Sequence, residues 1–256
     1  MKFKKWITAV ASAATVMVGA QVNAAPVTQL GFILDSSGSI GSGNWTTIKT
    51  GLANAVNSLI PINGSFEVSV VNFSDSATIV ANSILLDSAV ARTSLVGLIQ
   101  SMPYIGGLTN FADAFAQMTT ALTDNIGSTA ANAAATYVNF ATDGQPNVDT
   151  ANTNPKLALL KAAGVDNISI EGIGVGIDTV FLQGTVCYPG PCDTSSPFNF
   201  PTQGFYIGVA DAAGYAAAID NKIRIVTNQV PEPSSIALLG LGLLGLGAMR
   251  RRALKS

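Results

Sequence analysis

The sequence contains no histidine and few charged residues. Of its 256 residues, only 11 % are Asp, Glu, Lys or Arg. Without histidine there can be no Ser-His-Asp triad, no Cys-His dyad and no metal site that uses imidazole. Acid–base catalysis near neutral pH would need a carboxylate or lysine with a shifted pKa, and no pattern indicates one. The composition therefore excludes these classes of catalytic site, and we expect a protein that is not an enzyme.

Cysteine is also scarce, since Cys187 and Cys192 are the two in the chain, separated by a spacer rich in Pro and Gly. Two thiols without histidine make a poor metal site. A redox pair remains as an alternative. If the protein is exported, however, the thiols enter an oxidising compartment. We therefore expect a structural disulfide that closes a small loop.

The start of the chain has the pattern of a secretory signal peptide. Residues 1–24 combine three lysines, an apolar stretch over 6–20 and small residues before the expected cleavage site. This order is typical of a leader that signal peptidase removes. An N-terminal membrane anchor is the alternative, but the apolar stretch is short for one.

The end of the chain has three parts: Pro231-Glu232-Pro233, an apolar segment over 236–249 and a basic end over 250–255. The apolar segment is shorter than the ~20 residues of a full membrane span. Its glycines among leucines are nevertheless typical of a transmembrane helix, and the arginines would stay on the cytoplasmic side. A simple tail anchor is therefore one interpretation.

This tail closely resembles the PEP-CTERM sorting signal of Gram-negative bacteria. The resemblance implies transient membrane insertion of the tail and processing by exosortase, a membrane cysteine transpeptidase. The protein would then be exported through the inner membrane. It would reach the cell envelope, the outer surface or the extracellular matrix.

Loss of both ends would make the protein acidic. It would keep 6 basic and 14 acidic residues, a net charge of −8. Such a charge argues against nucleic acid and anionic membrane surfaces as partners.

Between its ends, the chain alternates apolar strands with segments of helical periodicity. The expected strands are 29–34, 66–73, 77–81, 136–141, 168–175 and 205–209, and the expected helices are 45–60, 88–102, 111–122, 155–163 and 211–226. The alternation predicts an α/β fold with a doubly wound, mostly parallel sheet and helices on both faces.

Three further expectations concern the organisation of the chain. Strand 77–81 follows a short turn, so we expect it to be an antiparallel edge strand. Segment 183–204, which holds both cysteines and four prolines, is expected to be a long insertion loop. We expect one domain over 28–227, followed by a linker and tail over 228–256.

Oxygen-bearing side chains follow the first and fourth predicted strands and precede a helix. Asp35, Ser37 and Ser39 come directly after the first strand, Thr109 follows two glycines, and Asp143 follows the fourth strand. Loops at the carboxyl ends of parallel strands meet at one edge of the sheet. Hydroxyl and carboxylate oxygens suit Mg²⁺, Mn²⁺ or Ca²⁺. Taken alone, residues 35–39 also fit an Asp-Ser turn that caps the next helix.

In this order, the five residues resemble the metal-ion-dependent adhesion site of the von Willebrand factor type A (VWA) family, over residues 28–227. The resemblance implies a Rossmann-like fold in which Ser37, Ser39 and Thr109 supply hydroxyl ligands to Mg²⁺, with Mn²⁺ or Ca²⁺ possible. Asp35 and Asp143 would balance the charge, often through water. An acidic group of a protein partner would complete the metal shell, which implies a role in adhesion.

Two other interpretations stay open. Phosphate-ester hydrolases of the haloacid dehalogenase type also place an Asp and Mg²⁺ after a first strand. They carry a second Asp two residues later, where this chain has Ser37. The protein could also be a structural matrix component with a vestigial metal site. Hydrolysis of a generic phosphate ester would reveal the first alternative, and a metal-binding measurement would test the second.

Overall fold

Six strands form one sheet in the computed structural model, which describes residues 27–124 and 130–227. The strands are β1 (Thr28–Asp35), β2 (Phe66–Phe73), β3 (Ala77–Leu85), β4 (Ala135–Thr142), β5 (Asn167–Ile173) and β6 (Tyr206–Val209). Their order across the sheet is β3-β2-β1-β4-β5-β6. All neighbours pair in parallel except β2 and β3, which pair antiparallel. The predicted fold class and the antiparallel edge strand are therefore confirmed.

Helices cover both faces of the sheet. They are α1 (Ser42–Leu59), α2 (Ala89–Ser101), α3 (Phe111–Thr123), α4 (Thr150–Ala162), α5 (Thr179–Phe181) and α6 (Ala212–Val226). A 3₁₀ turn lies at Ala130–Asn132, and a π-helical turn at Leu182–Val186 follows α5 directly. One hydrophobic cluster packs α1, α2 and α6 on one face, and a second packs α3 and α4 on the other.

Strand β1 contributes apolar side chains to both faces of the sheet. Leu30, Phe32 and Leu34 belong to the first cluster, whereas Ile33 belongs to the second. Successive side chains of a strand point to opposite faces, so a strand covered on both sides needs apolar residues throughout. This burial explains the uninterrupted apolar run before Asp35.

Several predicted boundaries differ from the structure, and those of α4 and β3 differ most. Helix α4 begins at Thr150, five residues earlier than expected. The prediction missed this start because the first turn of the helix is polar and shows no apolar periodicity. Strand β3 extends to Leu85 instead of ending at 81. Its pairing with β2 shifts register near Val68 and Val70, which breaks the alternation that would reveal a strand.

The predicted disulfide is confirmed, since Cys187 and Cys192 are bonded with their Cα atoms 5.7 Å apart. It closes a loop that packs back on the sheet. The backbone of Tyr188 forms a bridge with Ile168, and that of Asp193 forms one with Phe205. The insertion loop is thus tied to β5 and to the start of β6.

Within the described ranges, no helix is long and apolar enough to span a bilayer. The predicted leader 1–24 and the whole tail, including its apolar segment 236–249, lie outside these ranges.

Candidate metal centre

Three loops meet at the carboxyl edge of the sheet. The first follows β1, the second precedes α3, and the third follows β4. Backbone hydrogen bonds join the first two loops: Gly38 N donates to Gly107 O at 2.9 Å, and Gly106 N donates to Ser36 O at 2.9 Å. The edge therefore has a fixed shape built from backbone contacts.

Asp35, the last residue of β1, is buried and organises the first loop. Its Oδ1 accepts a hydrogen bond from Ser37 N at 2.8 Å, and its Oδ2 accepts one from Thr142 Oγ1 at 2.7 Å. Burial raises the pKa of Asp35 to about 6, although these hydrogen bonds act in the opposite direction. A cation next to this carboxyl group would favour its charged form.

Ser37, Ser39 and Asp143 form a continuous polar contact across the first and third loops. Ser37 Oγ and Ser39 Oγ lie 3.2 Å apart, and Ser39 Oγ donates to Asp143 Oδ1 at 2.8 Å. Partial burial raises the pKa of Asp143, against the hydrogen bond from Ser39. The two residues lie 104 positions apart in sequence, so the fold alone brings them together.

Thr109 is buried at the same place and is held through its backbone. Thr109 N donates to Asn147 Oδ1 at 2.7 Å, and Thr109 O accepts from Asn147 N at 3.0 Å. A Cβ atom placed on Gly144 would lie 3.9 Å from both Thr109 Oγ1 and Ser39 Oγ. The threonine hydroxyl and the Ser39 hydroxyl therefore both lie beside Gly144.

The structure thus brings all five predicted residues to one point. Within the described residues, no group of three or more His, Cys, Asp or Glu side chains is placed to hold a metal ion. The five residues instead offer three hydroxyls and two carboxylates. Oxygen donors of this kind fit a hard divalent cation such as Mg²⁺, which commonly keeps several waters.

Two residues that support the site were not assigned this role from the sequence. Thr142 holds Asp35 Oδ2 through its hydroxyl. Asp75 Oδ1 accepts from Leu108 N at 2.8 Å. A Cβ on Gly107, whose φ is +83°, would lie 2.2 Å from Asp75 Oδ2. Glycine at 107 therefore lets the carboxylate approach the loop that carries Thr109.

A shallow cavity of about 210 Å³ opens beside these side chains. Ser39 and Asp143 form one wall, and Asn44, Val175 and Asp211 line other parts. Val175 is almost fully exposed. A group of a second molecule can therefore approach Ser39 and Asp143 from this side.

A family model for the von Willebrand factor type A domain matches residues 29–192. The chain belongs to the VWA family. A second model, for the PEP-CTERM protein-sorting motif, matches residues 229–252, which include Pro231, Glu232 and Pro233. Both predicted resemblances are thereby confirmed. None of the curated proteins compared with the chain matches it.

Solved structures share the fold of this VWA domain. Proximal thread matrix protein 1 from the mussel byssus, with a zinc-occupied MIDAS motif, is 18 % identical, with a TM-score of 0.62 over 79 % of this chain and 48 % of the mussel chain. The pilus adhesin SpaC from Lactobacillus rhamnosus GG, in an open conformation, is 14 % identical, with a TM-score of 0.57 over 81 % and 30 %. Manganese-loaded TRAP protein from Plasmodium vivax is 20 % identical, with a TM-score of 0.53 over 77 % and 73 %.

These likenesses concern the fold, and the chain spans about half the length of the mussel protein. The PEP-CTERM signal indicates export to the cell envelope or outer surface. Together with the VWA domain, it supports a role in adhesion or interaction outside the cell. The tail implies exosortase as its processing enzyme.

Proposed function

We propose that the VWA domain holds a divalent cation and uses it to bind an acidic group of a protein partner. Ser37, Ser39 and Thr109 would supply hydroxyl ligands, while Asp35 and Asp143 would balance the charge. The observation that carries this proposal is the contact chain from Ser37 Oγ to Ser39 Oγ to Asp143 Oδ1, with Thr109 Oγ1 facing the same region. Mg²⁺ is the proposed ion, with Mn²⁺ or Ca²⁺ as alternatives.

The chemistry of the donors explains why an acidic partner group is expected. A bound cation supplies positive charge that neutral hydroxyls do not cancel. Asp143 is only partly buried, and the cavity beside it is open to a second molecule. A carboxylate of a partner would complete the shell from this side. The protein's own residues orient the site, because Asp35 fixes Ser37 N and Asp143 fixes Ser39 Oγ.

The proposal favours adhesion over hydrolysis. An enzyme of the haloacid dehalogenase type needs a carboxyl group as general acid two residues after Asp35, and Ser37 occupies that place. A vestigial site is also disfavoured, because the Ser39 hydroxyl still contacts the Asp143 carboxylate although the two residues lie 104 positions apart in sequence.

Calorimetric titration of the purified protein with Mg²⁺ and Mn²⁺ tests the cation site. We expect saturable binding by the wild type and its loss in Asp143→Asn, which keeps the shape of the side chain but removes its charge. Asp87→Asn is the matched control, because Asp87 is an exposed acid away from the site. If the wild type shows no saturable binding, or if Asp143→Asn binds like the wild type, the cation proposal is wrong.

The variant Thr109→Ala distinguishes partner binding from metal binding. The loop that carries Thr109 is the one we expect to adjust when a partner binds, so this change should weaken partner binding more than metal binding. Proteins of the host envelope and secreted fraction can be captured on the wild type with Mg²⁺ and with a chelator. A partner retained equally in both conditions would contradict a metal-bridged contact.

A further inference from the structure

The insertion loop and α6 form a groove whose walls are mainly proline, phenylalanine and isoleucine. We call it the Pro-Phe groove; its volume is about 320 Å³, and its main lining residues are Pro197, Phe198, Phe200, Pro201, Asn221 and Ile225. None of these residues takes part in the candidate metal centre. The groove is large enough to accept a few residues of extended peptide.

Packing beneath the groove holds its aromatic walls in place. The Phe198 ring stacks on Phe205 with centroids 4.5 Å apart, and Phe200 packs edge-on against Tyr137 at 4.7 Å. Asn167 Nδ2 donates to Pro201 O at 3.2 Å, and the disulfide closes the start of the loop. A preformed groove loses little conformational freedom when it binds a ligand.

The groove lies at the end of the sheet opposite the candidate metal centre. Asn167 begins β5 and Tyr137 lies near the start of β4, so the groove borders the amino ends of parallel strands. Helix α6 ends there. Ile225 lines the groove, and the described chain ends two residues later, at Thr227.

The sequence that follows has the composition such a groove accepts. Residues 230–234 read Val-Pro-Glu-Pro-Ser and begin three residues after Thr227. Three extended residues span at most about 10 Å, and Ile225, two residues before Thr227, already lines the groove. Proline-rich segments form extended polyproline II helices without internal hydrogen bonds, and aromatic grooves recognise them. Tethering raises the effective concentration of the segment to the millimolar range.

Charge favours this segment over a second copy of the domain. The domain carries an excess of acidic residues, so two copies repel each other. The groove's main lining residues carry no acid. Asp220, next to Asn221, is paired with Arg224 at 3.6 Å. A glutamate at 232 would therefore lie near no unpaired carboxylate among these lining residues.

We propose that the Pro-Phe groove is the docking site for the chain's own segment 230–234. The sorting motif would then rest against the folded domain, at the end opposite the candidate metal centre. Docking would fix the direction in which the domain leaves the membrane-inserted tail. This inference does not depend on cation binding, and its failure would leave the proposed cation site unaffected.

A spin label on Ser234→Cys in the full chain tests the docking. Both native cysteines are bonded to each other, so the introduced thiol would be the one free to react. In the wild-type background we expect slow label motion. Ile225→Glu places a charge in the groove and should make the motion several-fold faster, whereas Leu159→Glu, on the exposed side of α4, should leave it unchanged.

Asn221→Glu provides a second groove variant that does not touch the core, because Asn221 is exposed. It should also make the label move faster, because the new carboxylate would repel Glu232. Glu232→Lys in the same background should restore slow motion. Label motion that is equally fast in the wild type and in Ile225→Glu overturns the proposal, as does motion that is equally slow in both. Slow motion that disappears on dilution would show that a second copy occupies the groove, and would also overturn it.

Discussion

At the scale of single residues, Asp35 combines burial with a negative charge. Its folded pKa of about 6 lies above the ordinary value of 3.8 because burial disfavours the carboxylate. The folded state therefore binds a proton more tightly than the unfolded state. Its stabilising contribution is complete below pH 3.8 and is lost as the pH rises through 6. The loss amounts to about 3 kcal/mol in the metal-free protein.

Urea denaturation between pH 4 and 8, with chelator present, measures this effect. We expect Asp35→Asn to lose less stability over this range than the wild type, since the amide does not titrate. Mg²⁺ added in excess of the chelator at pH 8 should restore stability to the wild type but not to Asp35→Asn. Identical pH profiles for the two proteins would contradict the raised pKa of Asp35.

The same residue shows how far the sequence could predict the site. Asp35, Ser37 and Ser39 were visible because they follow an apolar run at fixed spacing. The burial of Asp35 was not visible: the sequence suggests a surface loop, whereas the residue is 1 % exposed. Removing its side chain would leave the donors Ser37 N and Thr142 Oγ1 without their acceptor, so Asp35→Ala is not a neutral change. Long-range pairs of this kind have no local sequence signal.

At the scale of elements, α1 and α6 approach closely at Gly51. A Cβ on Gly51 would lie 3.0 Å from Ala216 Cβ and 3.1 Å from Ala216 Cα. Gly51→Ala should therefore lower the free energy of unfolding by about 1–3 kcal/mol through overpacking. The control is Gly43→Ala in the same helix, where nothing lies within 4 Å. It should raise stability by up to about 1 kcal/mol.

Thermal or urea unfolding of both variants checks this contact. Ala216→Gly in the Gly51→Ala background should recover part of the lost stability by reopening the space. Equal effects of Gly51→Ala and Gly43→Ala would show that helix propensity, and not the contact between α1 and α6, decides the outcome.

A buried ion pair fixes α6 to the sheet. Lys222 Nζ lies 3.2 Å from Glu171 Oε1 on β5 and donates to Asn139 Oδ1 on β4. Burial lowers the pKa of Lys222 to about 8 and raises that of Glu171. The attraction between the two charges shifts each pKa in the opposite direction, so each charge depends on the other. Lys222→Met should cost about 3–5 kcal/mol because it leaves Glu171 buried without a counter-charge.

The double variant Lys222→Met with Glu171→Gln separates charge from packing. It should be more stable in urea denaturation than Lys222→Met alone, since no uncompensated charge remains. A double variant that is as unstable as the single one would show that the loss comes from packing around Lys222.

The type of each long element could be predicted, but the ends of several could not. Helix α6 was predicted to begin at Asp211, and this residue is its N-cap, where its side chain accepts a hydrogen bond from Gly214 N. Helix α4 is also preceded by an Asp, but Asp149 takes a left-handed conformation and its side chain makes no capping bond, which the sequence could not show. The pairing of Lys222 with Glu171 lies across two elements and was invisible in the sequence.

At the scale of the whole molecule, the domain has two ends with different chemistry. The carboxyl ends of the strands carry the five oxygen-bearing side chains, and the amino ends border the Pro-Phe groove and the end of α6. The matched sorting motif begins at residue 229, directly after this end. The candidate metal centre therefore lies at the end of the sheet opposite the end of α6, after which the sorting motif follows in sequence.

The sorting motif leads to a prediction for the protein in its native host. Exosortase processing should remove the segment that follows Pro231-Glu232-Pro233, and signal peptidase should remove residues 1–24 or 1–25. The intact mass of envelope-derived protein should then exclude both the leader and residues 236–256. Replacement of all three motif residues by alanine should leave the apolar segment attached and shift the protein to the membrane fraction. A wild-type mass that retains residues 236–256 would contradict processing. It would instead indicate that the apolar segment stays in place as a stable anchor.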